Sequence, residues 1–389
     1  MSERPILIVG GGIGGLAAAL ALARAGFRCH VLEQAPAFSE IGAGIQLGPN
    51  AFKMFDRLGL KGAVEDLVVY PDSLVMMDGL SAEEVTRIPL LGRFRERFHY
   101  PYALIHRADL YGVLLAACNK SPLIGRSIAT TVTAFEDHGT HVTLRDQNNR
   151  EVEGTALIGA DGLWSQVRRH IVGDGNPRIS GHIAYRAVLP TEDVPAEYRK
   201  NDMILWAGPK THLVQYMVRG GKLFNLVAVF HSDRFEKGWN SYGDSEELHE
   251  RFQDACEPVR VLLSKIQEWR MWVLCDRDPV KDWSRGRVTL LGDAAHPMLQ
   301  YLAQGAAMAI EDAVVLADQI LATPDDIPAA LLAYQKARYL RTGPCQLTAR
   351  LYGEFFHAAG VGRELRNATL AARTPNQAYD SMAWIYDGI

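Results

Sequence analysis

Ile6-Leu7-Ile8-Val9-Gly10-Gly11-Gly12-Ile13-Gly14-Gly15 reads as an apolar strand running into a glycine-rich turn. An alanine-rich run, Leu16 to Ala25, follows it. Alanine has the best intrinsic helix propensity, and Gly26 stands where a C-terminal cap is expected. The order is therefore strand, G-x-G-x-x-G, helix. Gly10 permits the tight turn, Gly12 lets the backbone approach a pyrophosphate, and Gly15 lets helix and strand pack closely. The free N–H groups at the helix start, those of Ile13 and Gly14 among them, face the phosphates together with the helix dipole. A second short strand, Cys29-His30-Val31-Leu32, ends at Glu33, about 20 residues on, where an acid accepts hydrogen bonds from ribose hydroxyls. The N-terminus is thus expected to bind an ADP-containing dinucleotide. Glu33 repels a 2′-phosphate, which disfavours NADP here. The turn itself does not separate NAD from FAD.

A chain of 389 residues has room for two to three domains and an ample core. Its charged fraction of 22% and net charge of −4 carry no basic surplus that would point to nucleic acid. Five scattered cysteines form no C-x-x-C pair, so reduced thiols are expected, with no metal site and no disulfide framework. Neither a signal peptide nor an apolar run of about 18 residues is evident. The cytoplasm is the expected location; peripheral membrane contact stays open.

Further along, Ile41 to Asn50 interleaves three glycines with apolar residues, which suggests backbone passing close to a ligand or another segment. Helices are expected from Asn50 and from His106 to about Cys118. Ile128 to Glu136 and His141 to Leu144 alternate as strands, and Ala156 to Ala160 reads as a buried strand ending in Asp161-Gly162. From His182 to about Val273 the chain turns β-rich. Strands His182 to Leu189, His212 to Val218 and Leu223 to His231 dominate, the last two joined by the hairpin turn Arg219-Gly220-Gly221-Lys222, with a helix near Ser245 to Ala255. Arg287 to Leu291 is a strand running into Gly292-Asp293. Helices follow from Gly305 to about Leu321 and over 327–342, the second stopped near Gly343-Pro344. The expected organisation is an α/β dinucleotide domain of residues 1–180 and 274–342, a β-rich substrate domain of 181–273, and a partly helical segment of 343–389.

Three strand-end motifs, Gly10 to Gly15, Asp161-Gly162 through Arg168, and Gly292-Asp293, stand in order. Together with His106-Arg107-Ala108-Asp109-Leu110 they resemble the group A flavoprotein aromatic hydroxylases, whose fold is that of para-hydroxybenzoate hydroxylase. The resemblance spans roughly residues 4–342. It implies bound FAD, with NADH as cosubstrate and O2 activated as a flavin C4a-hydroperoxide. It also implies a set of cofactor residues: Gly10, Gly12, Ile13, Gly14, Gly15, Glu33, Gln46, Arg107, Val132, Asp161, Asp293, Gly305 and Ala306. Chemistry agrees for Asp293, which can accept from ribityl hydroxyls, and for the helix from Gly305, whose N-terminal dipole favours the negative charge of reduced flavin. His296 reads as structural.

Many relatives carry Pro where this chain has Gln300. The stretch Gln300 to Gly305 resembles the 3-hydroxybenzoate 6-hydroxylases more than the salicylate hydroxylases. His212, Val214 and Tyr216 share one strand face, with His212 and Tyr216 about 13 Å apart. His212, Tyr216 and Gln300 are similar to that branch's substrate-contact set. His212 is the candidate base for the phenol, Gln300 a partner in its hydrogen-bond network, and Tyr216 the residue that orients the ring. The implied reaction is para-hydroxylation of 3-hydroxybenzoate to gentisate in a homodimeric enzyme. Decarboxylating hydroxylation of salicylate or 6-hydroxynicotinate is the alternative within the family. A non-catalytic binding protein on this fold and a two-domain NAD dehydrogenase are the alternatives outside it. The first is opposed by Asp293, Arg107 and Asp161, the second by the lack of a second glycine fingerprint.

Overall fold

A computed structural model describes residues 4–38, 43–232 and 241–388; Ile41 and Gly42 of the second glycine-rich stretch lie outside these. Two sheets carry the molecule. The first has six strands in the spatial order Ser284–Arg285, Val288–Leu290, Ala156–Gly159, Ile6–Val9, Cys29–Leu32, Ile124–Ser127. All its pairings are parallel except that of the two-residue edge strand. Ile6–Val9 is buried throughout, as expected of a strand covered on both faces. Helices Ile13–Arg24, Arg107–Asn119 and Gly305–Ala322 pack on this sheet, the first lying against the other two. A small antiparallel sheet, Val132–Asp137, Val142–Asp146 and Glu151–Gly154, sits beside it. All five cysteines are unpaired. No helix among the described residues is long and apolar enough to cross a membrane.

The second sheet has eight strands, and its two faces have different work. Ile183, Tyr185, Ile204, Trp206, Leu213, Phe224, Leu226 and Met271 pack on helices Ser245–Arg251 and Glu257–Ser264. Alternate residues, Ala184, Leu205, Val214, Tyr216, Val227 and Leu274, turn the other way, towards the first sheet. The boundary expected at residue 181 needs correction here. Strands Ser73–Asp78 and Glu84–Pro89, assigned from sequence to the dinucleotide domain, complete the edge of this second sheet: Met203–Gly208 pairs in parallel with the first of them. Their alternating apolar pattern suits a half-buried strand in either sheet, and only the long-range pairing decides between them.

The C-terminal reading also changes. The helix expected to stop near Gly343-Pro344 runs from Ile327 to Phe356, 30 residues with Pro344 inside. An interior proline costs about 3 kcal/mol. Tertiary contacts offset it: Tyr334, Arg338, Thr342, Cys345, Ala349 and Phe356 form one buried stripe that continues across the proline. Arg338 and Arg341 bind Glu311 on the neighbouring helix, and Arg350 binds Asp276. Residue 343 is therefore no boundary. Two further helices, Gly360–Ala371 and Pro375–Tyr386, follow; a full capping box at Thr374 and Gln377 starts the last one.

Candidate active site

Between the two sheets lies one large cavity of about 1490 Å³, more than the ~300–1,000 Å³ of an ordinary small-molecule pocket. Of the sixteen site residues named from sequence, all but Gly15 line it. Gly15 acts underneath: a Cβ there would lie 2.0 Å from the Gly10 carbonyl oxygen. Gly10, at φ +106°, would put a Cβ 2.2 Å from the Ala160 oxygen. Gly12 is the opposite case, since a Cβ there would meet nothing within 4 Å and would project into open space. Two of the glycines are thus demanded by packing, and Gly12 is not. Glu33 accepts from Gly11 N (2.7 Å) and Ala35 N (2.8 Å), which fixes its carboxylate at the cavity edge.

The third motif is held by a buried ionic lattice. Asp312 accepts from Gly292 N (2.9 Å), from His296 Nε2 (2.5 Å) and from Arg338 Nε (2.6 Å), and these partners hold its carboxyl far below the usual range against the pull of burial. His296 thus braces the turn from behind. Asp293, in front, lies open to the cavity yet is enclosed by protein, and desolvation raises its pKa. Its carboxylate makes no hydrogen bond with a described residue. The second motif serves the third: Arg168 donates to the carbonyls of Ala294 (2.9 Å) and Ala295 (2.6 Å). Asp161 itself accepts from Ser165 Oγ, Gln166 N and Val167 N, so its oxygens secure the start of helix Gln166–Ile171.

At the other end of the cavity, His212 and Tyr216 face inward from strand Thr211–Val218, both buried. Burial pushes His212 down to about 3, so the imidazole is neutral. Tyr216 is pushed above its ordinary value by burial. Gln46 hydrogen-bonds to Tyr216 and accepts from the hydroxyl of Tyr102. Gln300 opens a short 3-10 turn, and its side-chain oxygen accepts from Arg186.

Arg186 is the residue that sequence reading missed. It stands on strand Arg178–Pro190, in register with Val227, which in turn faces Val214 between His212 and Tyr216. Two strand spacings put it about 10 Å across the sheet from that pair. Its guanidinium lies 5.4 Å from the centre of the Trp272 ring and forms no ion pair with a described residue. Its Nε is buried without a partner. Burial lowers its pKa to about 10. The signal was present: an arginine two residues beyond the inward-facing Ala184 of a strand already expected from sequence. The C-terminal segment, unplaced from sequence, supplies Tyr352, Phe356 and Tyr386 to the cavity wall.

The family profile described as "FAD binding domain" matches residues 3–342. The chain belongs to the FAD-dependent aromatic hydroxylases. The 3-hydroxybenzoate 6-hydroxylase of Polaromonas naphthalenivorans (strain CJ2) is 46% identical over 99% of this chain and 96% of its own. A variant of Klebsiella pneumoniae HpxO, solved with FAD, matches with TM-score 0.86 at 26% identity, over 99% of this chain and 98% of that one. A salicylate hydroxylase substrate complex matches with TM-score 0.84 at 27% identity, over 99% and 96%. The residues of this FAD-dependent hydroxylase suit the cofactor. Gly12 leaves clear backbone for a pyrophosphate, Asp293 offers a carboxylate with free acceptors for ribityl hydroxyls, and the helix starting at Gly305 points its N–H groups into the same space.

Proposed function

We propose that this hydroxylase converts 3-hydroxybenzoate to 2,5-dihydroxybenzoate (gentisate), using NADH and O2, as a cytoplasmic homodimer. The observation that carries the reading is Arg186, a cation without a counter-ion among the described residues, at the wall of a largely apolar cavity that also presents His212, Tyr216 and Gln300. Such a site recognises an aromatic acid: the carboxylate pairs with Arg186, and the ring lies among Val214, Val227 and Leu205. The 46% identity to a 3-hydroxybenzoate 6-hydroxylase supports 3-hydroxybenzoate as that acid.

A bound FAD would supply the redox chemistry, taking electrons from NADH and activating O2. The protein's own groups do the rest. His212 withdraws the phenol proton, which enriches the ring at the para carbon. Gln300, held by Arg186, links carboxylate anchor and phenol network. Tyr216, fixed by Gln46, orients the ring and excludes water. Asp293, Glu33 and Arg107 hold the cofactor. NADH has no glycine turn of its own, so it docks transiently, and bound acid is expected to accelerate flavin reduction. For the homodimer, Leu340, Leu347 and Leu351 leave apolar surface on the long helix; sedimentation tests it.

The deciding experiment is NADH oxidation against a panel of hydroxybenzoates with product identification. One gentisate per NADH, without CO2, is expected from 3-hydroxybenzoate. Release of CO2 from salicylate or 6-hydroxynicotinate, with 3-hydroxybenzoate inert, overturns the reading.

A further inference from the structure

Behind His212 stand three more imidazoles, those of His182 and His357 buried and that of His231 part-exposed. His182 and His231 are register partners on adjacent strands, and His357 caps the helix Ile327–Phe356. His212 Nδ1 lies 2.7 Å from His357 Nε2, and His357 Nδ1 lies 2.9 Å from His231 Nε2. The three rings form a continuous chain. Its inner end, His212, lines the cavity, while its outer end, His231, is part-exposed. Neither His212 Nε2 nor His231 Nδ1 hydrogen-bonds to a described residue.

Three neutral rings carry three protons, and the two inter-ring bonds admit only two arrangements. In one, His212 Nδ1–H donates to His357 and His357 Nδ1–H donates to His231, which leaves His212 Nε2 bare at the cavity. In the other every proton has moved across, and His212 Nε2 carries a hydrogen. We propose that His212, His357 and His231 relay the substrate's phenol proton from the cavity to solvent by passing between these two arrangements. This rests on the phenolic-acid reading above. The phenol O–H breaks as an N–H forms at His212 Nε2. The Nδ1 protons of His212 and His357 each pass to the facing nitrogen. The Nδ1 proton of His231 leaves to water. One proton enters and one leaves, and no ring is charged at either end.

A relay answers a difficulty that His212 alone does not. Burial disfavours its imidazolium, and His182 and His231 disfavour it further, so it is a poor final home for a proton. His357 and His231 are likewise lowered by burial. The charged groups around the chain are Glu354 and Lys210 beside His231 and Arg366 beside His357; Tyr301 closes the remaining side through His182 (2.5 Å). His357 and His231 are positioning residues, since neither touches substrate.

The test mixes oxidised, FAD-loaded enzyme with 3-hydroxybenzoate in weak buffer, following a pH-indicator dye and the absorbance of the phenolate. His357→Gln and His231→Gln keep a hydrogen-bonding side chain but offer no tautomer to pass a proton. Both are expected to bind the acid within about threefold of wild type and to ionise it at least about tenfold more slowly, the low side of a lost general base. Unchanged ionisation and proton release in these variants overturns the relay; if His357→Gln does not fold, the part-exposed His231→Gln decides. Metal analysis gives a second route to rejection. His182, His231 and His357 have ligand atoms within 4.8 Å of one another. One bound zinc per chain would occupy the lone pairs the relay needs. If 3-hydroxybenzoate leaves the flavin spectrum unperturbed, the substrate reading fails, and the relay is tested identically with salicylate or 6-hydroxynicotinate.

Discussion

The two ends of the cavity are built differently. The cofactor end is a matter of backbone: glycines set chain against chain at Gly10 and Gly15, and helix starts turn their N–H groups inward. The substrate end is a matter of buried polar side chains, with Arg186, His212, Gln300 and His357 brought together from across 172 residues. Steric close approach is unforgiving and leaves a short local pattern. A polar cluster assembled across strands tolerates single losses with the fold intact, and each loss shows up in chemistry.

Substitutions at the two ends therefore fail in different ways. The largest effect is expected at Gly15→Val, where the Cβ overlaps the Gly10 carbonyl; the cost exceeds about 4 kcal/mol and soluble protein is lost. Gly12→Val is its control. Its thermal melt should match wild-type apoprotein while flavin absorbance disappears, and a flavin-replete Gly12→Val would break the distinction between packing and ligand glycines. At the substrate end, His212→Ala should keep FAD and permit its reduction yet slow hydroxylation about 10²–10⁴-fold, with H2O2 accounting for the missing gentisate. Full coupling in that variant would make His212 a packing residue. Arg186→Ala should raise KM for the aromatic acid about thirtyfold or more at unchanged flavin content, the usual consequence of truncating one partner of a buried charge pair. An unaltered KM would move the carboxylate elsewhere.

Smaller effects sharpen the same contrast. Asp293→Ala removes an exposed acceptor rather than a packing contact, so apoprotein should fold normally and bind FAD about tenfold to hundredfold more weakly in a flavin titration. The histidines make the substrate end sensitive to acid. His182 is held down to about 4 and His212 to about 3, against an ordinary 6.5. In the unfolded chain both rings take up protons near pH 6.5, while in the fold they stay neutral. Stability is thus full above pH 6.5 and falls as pH drops towards 4, by up to about 1.4 kcal/mol per pH unit for each ring. Melting temperatures across that window measure the slope; His182→Phe should flatten it.

The same difference explains what sequence reading reached. The turn at Gly10 to Gly15 and the acid at Glu33 follow from local spacing, and the structure brings Gly10, Gly12, Gly14 and Glu33 to one cavity. Strand alternation puts His212 and Tyr216 on one face, and the family resemblance singled them out as candidate site residues. Arg186 stood in a strand correctly expected, but its meaning depends on Gln300, 114 residues away. Pairing of Ser73–Asp78 with Met203–Gly208 leaves no local trace, nor does the contact of His357 with His212. Pro344 misled for a sound reason: propensity argued for a stop, and the ionic contacts of Arg338, Arg341 and Arg350 overruled it.

The helix through Pro344 also sets the terms on which this enzyme can be recombined with its relatives. Over about 45 Å it touches the first sheet, where Gln335 accepts from Trp283 N and Ser284 N, and then the second, where Arg350 reaches Asp276 and His357 reaches His212. A chimera that imports a foreign substrate sheet at residues 178–276 would keep a host helix whose arginine and histidine were matched to the sheet that was removed. Crossover points that respect this architecture carry three pieces together: the strands at 73–89, the sheet at 178–276, and the chain from the middle of the long helix onward. The heritable unit of substrate choice is thus discontinuous in sequence, and its last piece lies in a helix that is also rooted in the cofactor half.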